Sequence, residues 1–535
     1  MKKATFIIII FVLPFFIWSC RSSKTDIQPI DTQEIEAHIR FLSDDLLEGR
    51  GIGSKGLSIA ALYQENFFRG LGLEPLFNGS YRQPFELKGS LPDKKATLEI
   101  ISEEETISLS IMDDFVINSY REDCPVGVEG ELVYCGYLIQ APEKNWDDIK
   151  DANLNNKVLL VEVNEPGNHP GGIFEGEDMT LYGRWTYKME KASELGATGI
   201  LLIHNTKGAS YGWSVVQNSW SGEAFFLPTK KPHLFYQGWI HRDAAESILS
   251  YSGLNRESLL MKAELRDFEP VPLGLSIRVR QKSSFRTVET ENIGALLKGK
   301  HRHNEGEYII LSAHYDHLGK DTSLKGDQIY NGAVDNCSAS ATLLSLARYY
   351  SQIPDRVKVN LAFVSVSAEE EGLLGSEYFA NHLPFARSSV LGNINFEMTN
   401  VWGKTEEVYA IGAKYSDLDD YCKEAAENLK WEYIPERGGK SGFFFRSDQF
   451  SFVKAGIPAV WLHEGITSKG KDKDFIKRKR QDYINNKYHK VEDEIGIDWD
   501  LLGTVQIASW AKEIISLLSE SETLPRFKLS CPFRR

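Results

Sequence analysis

Apolar and polar positions divide the chain into a segment of alternating strand and helix patterns, interrupted by one of different texture. The C-terminal half carries apolar runs of strand length at Asn292 to Leu297, Tyr308 to Ala313, Val357 to Ser367, Val390 to Met398, Val408 to Ile411 and Ala459 to His463. Stretches with apolar residues at helical spacing intervene at Ser338 to Tyr350, Ser376 to Leu383 and Asp417 to Leu429. Another, from Asp498 to Leu518, closes the series, with Asp498 as its expected N-cap. Such alternation predicts an α/β fold, a mostly parallel sheet covered by helices on both faces.

Upstream, Gln33 to Leu42 and Leu57 to Leu71 read as helices, and residues 96 to 112 as a hairpin. Between about Asp113 and Ser276 the texture becomes short strands, Gly-Pro turns and many aromatics. Within it, strand Lys157 to Val163, helix Tyr187 to Leu195 and strand Gly199 to His204 follow in order. The expected division is therefore 32–112 and 277–535 for one α/β domain, with 113–276 inserted. A chain of 535 residues is long enough for two cores.

The N-terminus reads as a targeting segment: Lys2 and Lys3, then an apolar run from Phe6 to Trp18, too short to span a bilayer. Its end, Ile17-Trp18-Ser19-Cys20, resembles a bacterial lipobox. Residues 1–20 are then a lipoprotein signal peptide ending at an acylated Cys20, and 21–31 a tether. The expected location is extracytoplasmic, bound to a bacterial envelope membrane through the lipid alone. The 61 basic and 75 acidic side chains give a net charge of −14, which argues against nucleic-acid binding. The basic run Lys469 to Arg480, interrupted by Asp472 and Asp474, reads as a solvated loop. Apart from Cys20, five cysteines remain without CxxC spacing, so a thiolate zinc site is not expected. Cys124 and Cys135 are close enough in sequence to pair in an oxidising compartment.

Candidate chemistry gathers at the predicted strand ends. His314 follows the first strand of the central group, Glu369 and Glu370 follow the next, and Glu397 lies at the end of a third. Asp335 sits on a loop that opens a helix. Sites in open α/β sheets form outside the carboxyl ends of strands, so these side chains can converge. One His among carboxylates suggests a metal-centred hydrolase, and His489, after an Asn/Lys-rich loop, is the candidate for a missing ligand. His317 reads as a loop hydrogen-bonder. His169, His204, His233 and His241 have no ligand spacing, and His463-Glu464 lacks the second His of HExxH. Gly51, Gly53 and Gly56 match GxGxxG, but no strand precedes them, so they read as a flexible loop near the main site rather than a phosphate cradle.

In order, HYDHLG, GAVDNCSAS, AEEEGLLGS, NFEM and YHKVED resemble the dizinc exopeptidases, among them secreted leucyl aminopeptidases and glutamate carboxypeptidases. The resemblance covers roughly residues 32–110 and 290–520 and implies a zinc-exopeptidase-type three-layer sandwich with a mostly parallel central sheet. The order of elements in 113–276 is similar to a protease-associated domain, β-rich and inserted in several secreted peptidases. By position, the resemblance implies that two Zn ions are held, one by His314, Asp335 and Glu397, the other by Asp335, Glu370 and His489. It further implies Glu369 as general base, Asp316 as the carboxylate orienting His314, and Tyr488 as a donor to the oxyanion. Many relatives carry Asp where this chain has Glu397. The implied activity is an aminopeptidase acting on peptides. A carboxypeptidase or dipeptidase is the alternative, since Arg437 and Arg446 flank Gly438 to Phe445 and could clamp a carboxylate. Phe443, Phe444 and Phe445 read equally as a pocket wall or a core strand. Two further rivals are a silent receptor-like binding protein, disfavoured by the retained ligands, and a one-zinc glutaminyl cyclase, disfavoured by His314. The oligomeric state is left open.

Overall fold

The computed structural model describes residues 27–228, 234–300, 306–529 and 531–533. Cys20, its preceding apolar run and His233 lie outside them. Among the described residues no helix is long and apolar enough to cross a membrane.

The main sheet runs, edge to edge, through Ala224–Phe226, Arg82–Pro92, Ser283–Leu297, Asn360–Val366, Tyr308–His314, Val390–Asn395, Ala459–Glu464, Glu407–Ile411 and Glu432–Tyr433. Its centre is parallel: Tyr308–His314 pairs in parallel with both Asn360–Val366 and Val390–Asn395, and the latter with Ala459–Glu464. The flanks are antiparallel except for the last edge pair, in which Glu432–Tyr433 runs parallel to Glu407–Ile411, so the sheet is mixed. Period-two alternation explains why both faces are covered. Ile309, Leu311 and Ala313 enter one core with helices Thr32–Leu42, Lys55–Gly70, Ala339–Ser351 and Leu502–Glu520, while Ile310 enters the other with Leu374–Asn381 and Gln449–Lys454. The helix boundaries follow local chemistry: Asp31 accepts from the Glu34 N–H and Ser54 from the Leu57 N–H, each satisfying a helix-start donor.

The insertion leaves the main sheet differently from the expected 113–276. Arg82–Pro92 and Ser283–Leu297 form one long antiparallel pair whose register ends at Pro92 opposite Ser283. Beyond that point the chain builds a second sheet, in the order Thr106–Leu109, Thr97–Ile101, Val271–Arg280, Gly127–Tyr134, Val158–Glu162, Gly199–Ile203, Tyr236–Ile240 and Phe115–Asn118. The 97–109 hairpin belongs here because Thr97–Ile101 pairs with Val271–Arg280. Ala224–Phe226 reaches back to extend the main sheet along Arg82–Pro92.

Three other expectations change. The last helix starts at Leu502, with no side-chain cap, and Asp498 pairs instead with Lys479. The basic run is partly helical: Phe475–Asn486 buries Ile476 and Tyr483 while its charges meet Asp472, Asp498 and Glu464. Cys124 and Cys135 are free thiols, with Cys124 turned toward the Phe235 carbonyl and Cys135 buried.

Candidate metal centre

Parallel strands deliver the donors to one end of the main sheet. His314 is the last residue of Tyr308–His314, and Glu397 lies two residues past Val390–Asn395. Glu369 and Glu370 follow Asn360–Val366 on a turn entered through Ala368, which has a left-handed φ of 59°. The Asp316 carboxylate accepts the N–H groups of both Glu369 and Glu370, at 3.2 and 3.3 Å, and so sets the direction of the pair.

This alters the role expected for Asp316. His314 Nδ1 is 3.2 Å from the Asp316 backbone carbonyl but 3.8 Å from its carboxylate, so the carbonyl accepts the ring N–H. The consequence is useful. Nε2 is left with a bare lone pair, 3.3 Å from Asp335 Oδ1 and 3.2 Å from Glu397 Oε1.

Asp335 lies in the irregular turn Ala333–Ser338, ahead of helix Ala339–Ser351. Asp493 holds that turn, accepting the N–H groups of Val334 and Asp335 at 3.0 and 3.1 Å and the Tyr483 hydroxyl at 2.9 Å. The other oxygen of Asp335 meets His489: Nε2 is 3.2 Å from Asp335 Oδ2 and 3.2 Å from Glu370 Oε2. All five residues expected as ligands therefore come together, with Asp335 shared between two groups.

Several neighbours were missed or underrated. His317 is buried, its Nδ1 2.6 Å from Glu370 Oε1 and its Nε2 without a partner among the described residues. His317, Asp335 and Glu370 bring donor atoms within 4.8 Å of one another, as do His314, Asp335 and Glu397. Ser447 donates to Glu397 Oε2 at 3.0 Å, and the Trp461 indole donates to the Glu397 carbonyl at 3.1 Å, fixing the longer side chain. Asp448 is fully buried, facing no cation other than the His314 imidazole among the described residues. Arg50 is also buried and donates to the carbonyls of Leu42, Tyr315, Asn331 and Gly332, tying the segment after His314 to the one before Asp335. The glycine-rich stretch is thus an ordered turn at the site, with Gly51 packed on Gly319. Only the unusual Arg between glycines hinted at that.

The electrostatics fit a pair of dications. Six carboxylates (Asp316, Asp335, Glu369, Glu370, Glu397 and Asp448) surround the imidazoles of His314, His317 and His489. Burial pushes Glu397 up to about 7 and Glu369 well above the usual carboxyl range, against the pull of His314. Imidazole lone pairs facing carboxylate oxygens are mutually repulsive unless a proton or cation lies between them. Oxygen and imidazole donors without thiolate suit zinc. Tyr488 stacks on His489, ring centroids 3.9 Å apart; burial first, then Asp335, Glu370, Glu369 and Glu397, hold its phenol well above its usual range, keeping it a neutral donor.

Residues 292–511 match the model of Peptidase family M28. That segment is similar to this family. The chain is 29% identical over 183 residues to Aminopeptidase YwaD of Bacillus subtilis, covering 33% of this chain and 36% of that one. It is 26% identical over 225 residues to Aminopeptidase Y of Saccharomyces cerevisiae, 40% of this chain and 36% of that relative. The matched segments thus span little more than a third of these relatives. In fold, the chain is similar to an aminopeptidase from Aneurinibacillus sp. strain AM-1, with a TM-score of 0.52 at 20% identity over 93% of this chain and 95% of that one.

Proposed function

We propose that the protein is a zinc-dependent aminopeptidase of the M28 family, hydrolysing the N-terminal residue of peptides. The carrying observation is the Asp335 carboxylate, one oxygen 3.3 Å from His314 and the other 3.2 Å from His489. His314 and Glu397 on one side, and Glu370 and His489 on the other, would complete two zinc sites around it. When bound there, zinc supplies Lewis-acid polarisation of a carbonyl and makes water more acidic.

The chain's own groups supply the rest. Glu369, 3.8 Å from His314 Nε2 and not needed as a ligand, is placed to accept a proton from water and pass it to the leaving amine. Asp316 orients it through its backbone N–H. Tyr488 offers a neutral hydroxyl donor toward a developing oxyanion. The carboxylates beyond the metal sets favour a free α-ammonium over a blocked N-terminus. The insertion is then a protease-associated-like wall of the substrate site, clamped to it by Met179 N–H to the Gly439 carbonyl at 3.0 Å and by the Glu177–Lys440 and Glu175–Lys414 pairs at 2.6 and 2.8 Å. The lipobox-like N-terminus supports anchoring outside the cytoplasm.

A paired assay tests the reading. A peptide with a free N-terminus is hydrolysed, its N-acetylated counterpart is not, chelator stops the reaction and added zinc restores it. Equal hydrolysis of both peptides, or indifference to chelator, would contradict it.

A further inference from the structure

Arg184 and Arg446, which flank the Phe445 ring, lack the carboxylate partners that several other arginines of this chain have. Arg82 meets Glu65 and Glu291, Arg256 meets Glu162, Arg286 meets Glu223, and Arg348 meets Glu34. Arg184, from the insertion, stands 5.9 Å over the ring of Phe445. Arg446 is the next residue along, exposed at the end of the Phe443–Phe445 turn. Among the described residues, no ion pair or side-chain hydrogen bond engages either guanidinium.

The two side chains flank one ring, Arg184 over Phe445 and Arg446 directly after it, and burial first, then the charge of Arg446, pushes Arg184 down to about 10. Like charges brought together in a partly desolvated place, with no counter-ion, are costly unless an anion binds between them. A planar guanidinium pairs with a carboxylate through two parallel hydrogen bonds. Place matters as much as charge. Ser447 follows Arg446 directly and donates to Glu397 Oε2 at 3.0 Å, so the backbone that carries Arg446 runs past the candidate metal centre.

Resting on the aminopeptidase reading above, we propose that Arg184 and Arg446 bind the free C-terminal carboxylate of a short peptide whose N-terminal residue lies at the metal centre. The enzyme then reads both ends of its substrate, one end from each domain. Short free peptides are its substrate class, and long chains or C-terminally blocked peptides are poor substrates. Phe444 and Phe445, which the sequence left open as pocket or core, are buried in an aromatic cluster with Phe450 and serve as the support for this site.

The test is calorimetric binding to the full-length, zinc-loaded Glu369→Gln protein, with three probes: Leu-Ala, Leu-Ala amide and Leu-Glu amide. Leu-Ala should bind at least about tenfold more tightly than its amide, the scale of one charge-assisted contact. Adding Arg184→Gln or Arg446→Gln should erase that preference while leaving amide binding unchanged. Equal affinity for Leu-Ala and its amide overturns the proposal, as does an equal loss for both in the arginine variants. Leu-Glu amide binding as tightly as Leu-Ala would assign the pair to an acidic side chain and overturn the terminal-carboxylate reading. A preference for Leu-Ala without turnover by the wild type would sink the aminopeptidase reading and leave the arginine site standing.

Discussion

The Asp335 carboxylate lies 3.2 Å from Nε2 of His489, although the two residues are far apart in the chain. Asp493 makes the approach possible. It sits four residues after His489 and holds the backbone of Val334 and Asp335 by two hydrogen bonds. The loop that carries the last donor thus also shapes the turn that carries the shared one.

Replacing His489 should therefore affect one metal site more than the other. His489→Ala removes one imidazole facing Asp335 and Glu370 but leaves His314 and Glu397 in place. Elemental analysis should show a fall from two zinc ions per chain toward one, with turnover reduced at least about 100-fold, the upper range for loss of a supporting group and a lower bound for a ligand. Two zinc ions retained in the variant would refute the ligand role.

Arg50 links four carbonyls around the donors, and methionine in its place would leave those of Leu42 and Tyr315 buried and unpaired, while Gly332 keeps the Cys337 N–H. Each unpaired buried group costs on the order of 1–3 kcal/mol. Arg50→Met should lower the thermal midpoint and weaken zinc retention under a chelator challenge. Arg50→Lys should fail to rescue it, since one ammonium cannot span acceptors arranged for a guanidinium fork. An unchanged midpoint and unchanged retention in both variants would count against this bracing.

A titratable cluster in the insertion gives a pH prediction remote from the metal. Lys188 is fully buried and donates to the Tyr137 carbonyl. Burial pushes its ammonium down to about 7, against Asp148 and Glu165, which burial pushes up to about 6 and about 7. Between pH 7 and the ordinary lysine range, the unfolded chain holds a proton that the folded chain has released, so stability rises with pH there. Below about 7 both states are protonated and the full cost of burying the charge remains. Lys188→Met removes the rise. Urea midpoints at pH 6.5, 8 and 9.5 should show the wild type gaining on the variant as pH increases. A gap that does not change with pH would contradict the account.

Much of this was legible in the sequence, for physical reasons. Apolar runs bounded by polar turns located the strands Tyr308–His314 and Asn360–Val366, and residues just past strand ends proved to converge. Those positions depend on local pattern and on a general property of parallel sheets. What the sequence concealed depends on distant pairing. The 97–109 hairpin looks the same whichever sheet it joins, and only Val271–Arg280 decides. The Asp316 carboxylate could have faced His314 or the Glu369 turn, and a backbone acceptor for His314 has no sequence signature. Arg50, His317 and Asp448 are ordinary polar residues until burial shows that water cannot satisfy them.

The central claim is that Glu369 handles the proton while five other side chains hold the metal. Glu369→Gln keeps the shape and removes the base, so turnover should fall about 10²–10⁴-fold, the span expected for a general base. The same preparation should retain the zinc content of the wild type. Wild-type turnover in that variant, or turnover lost together with the zinc, would contradict the account.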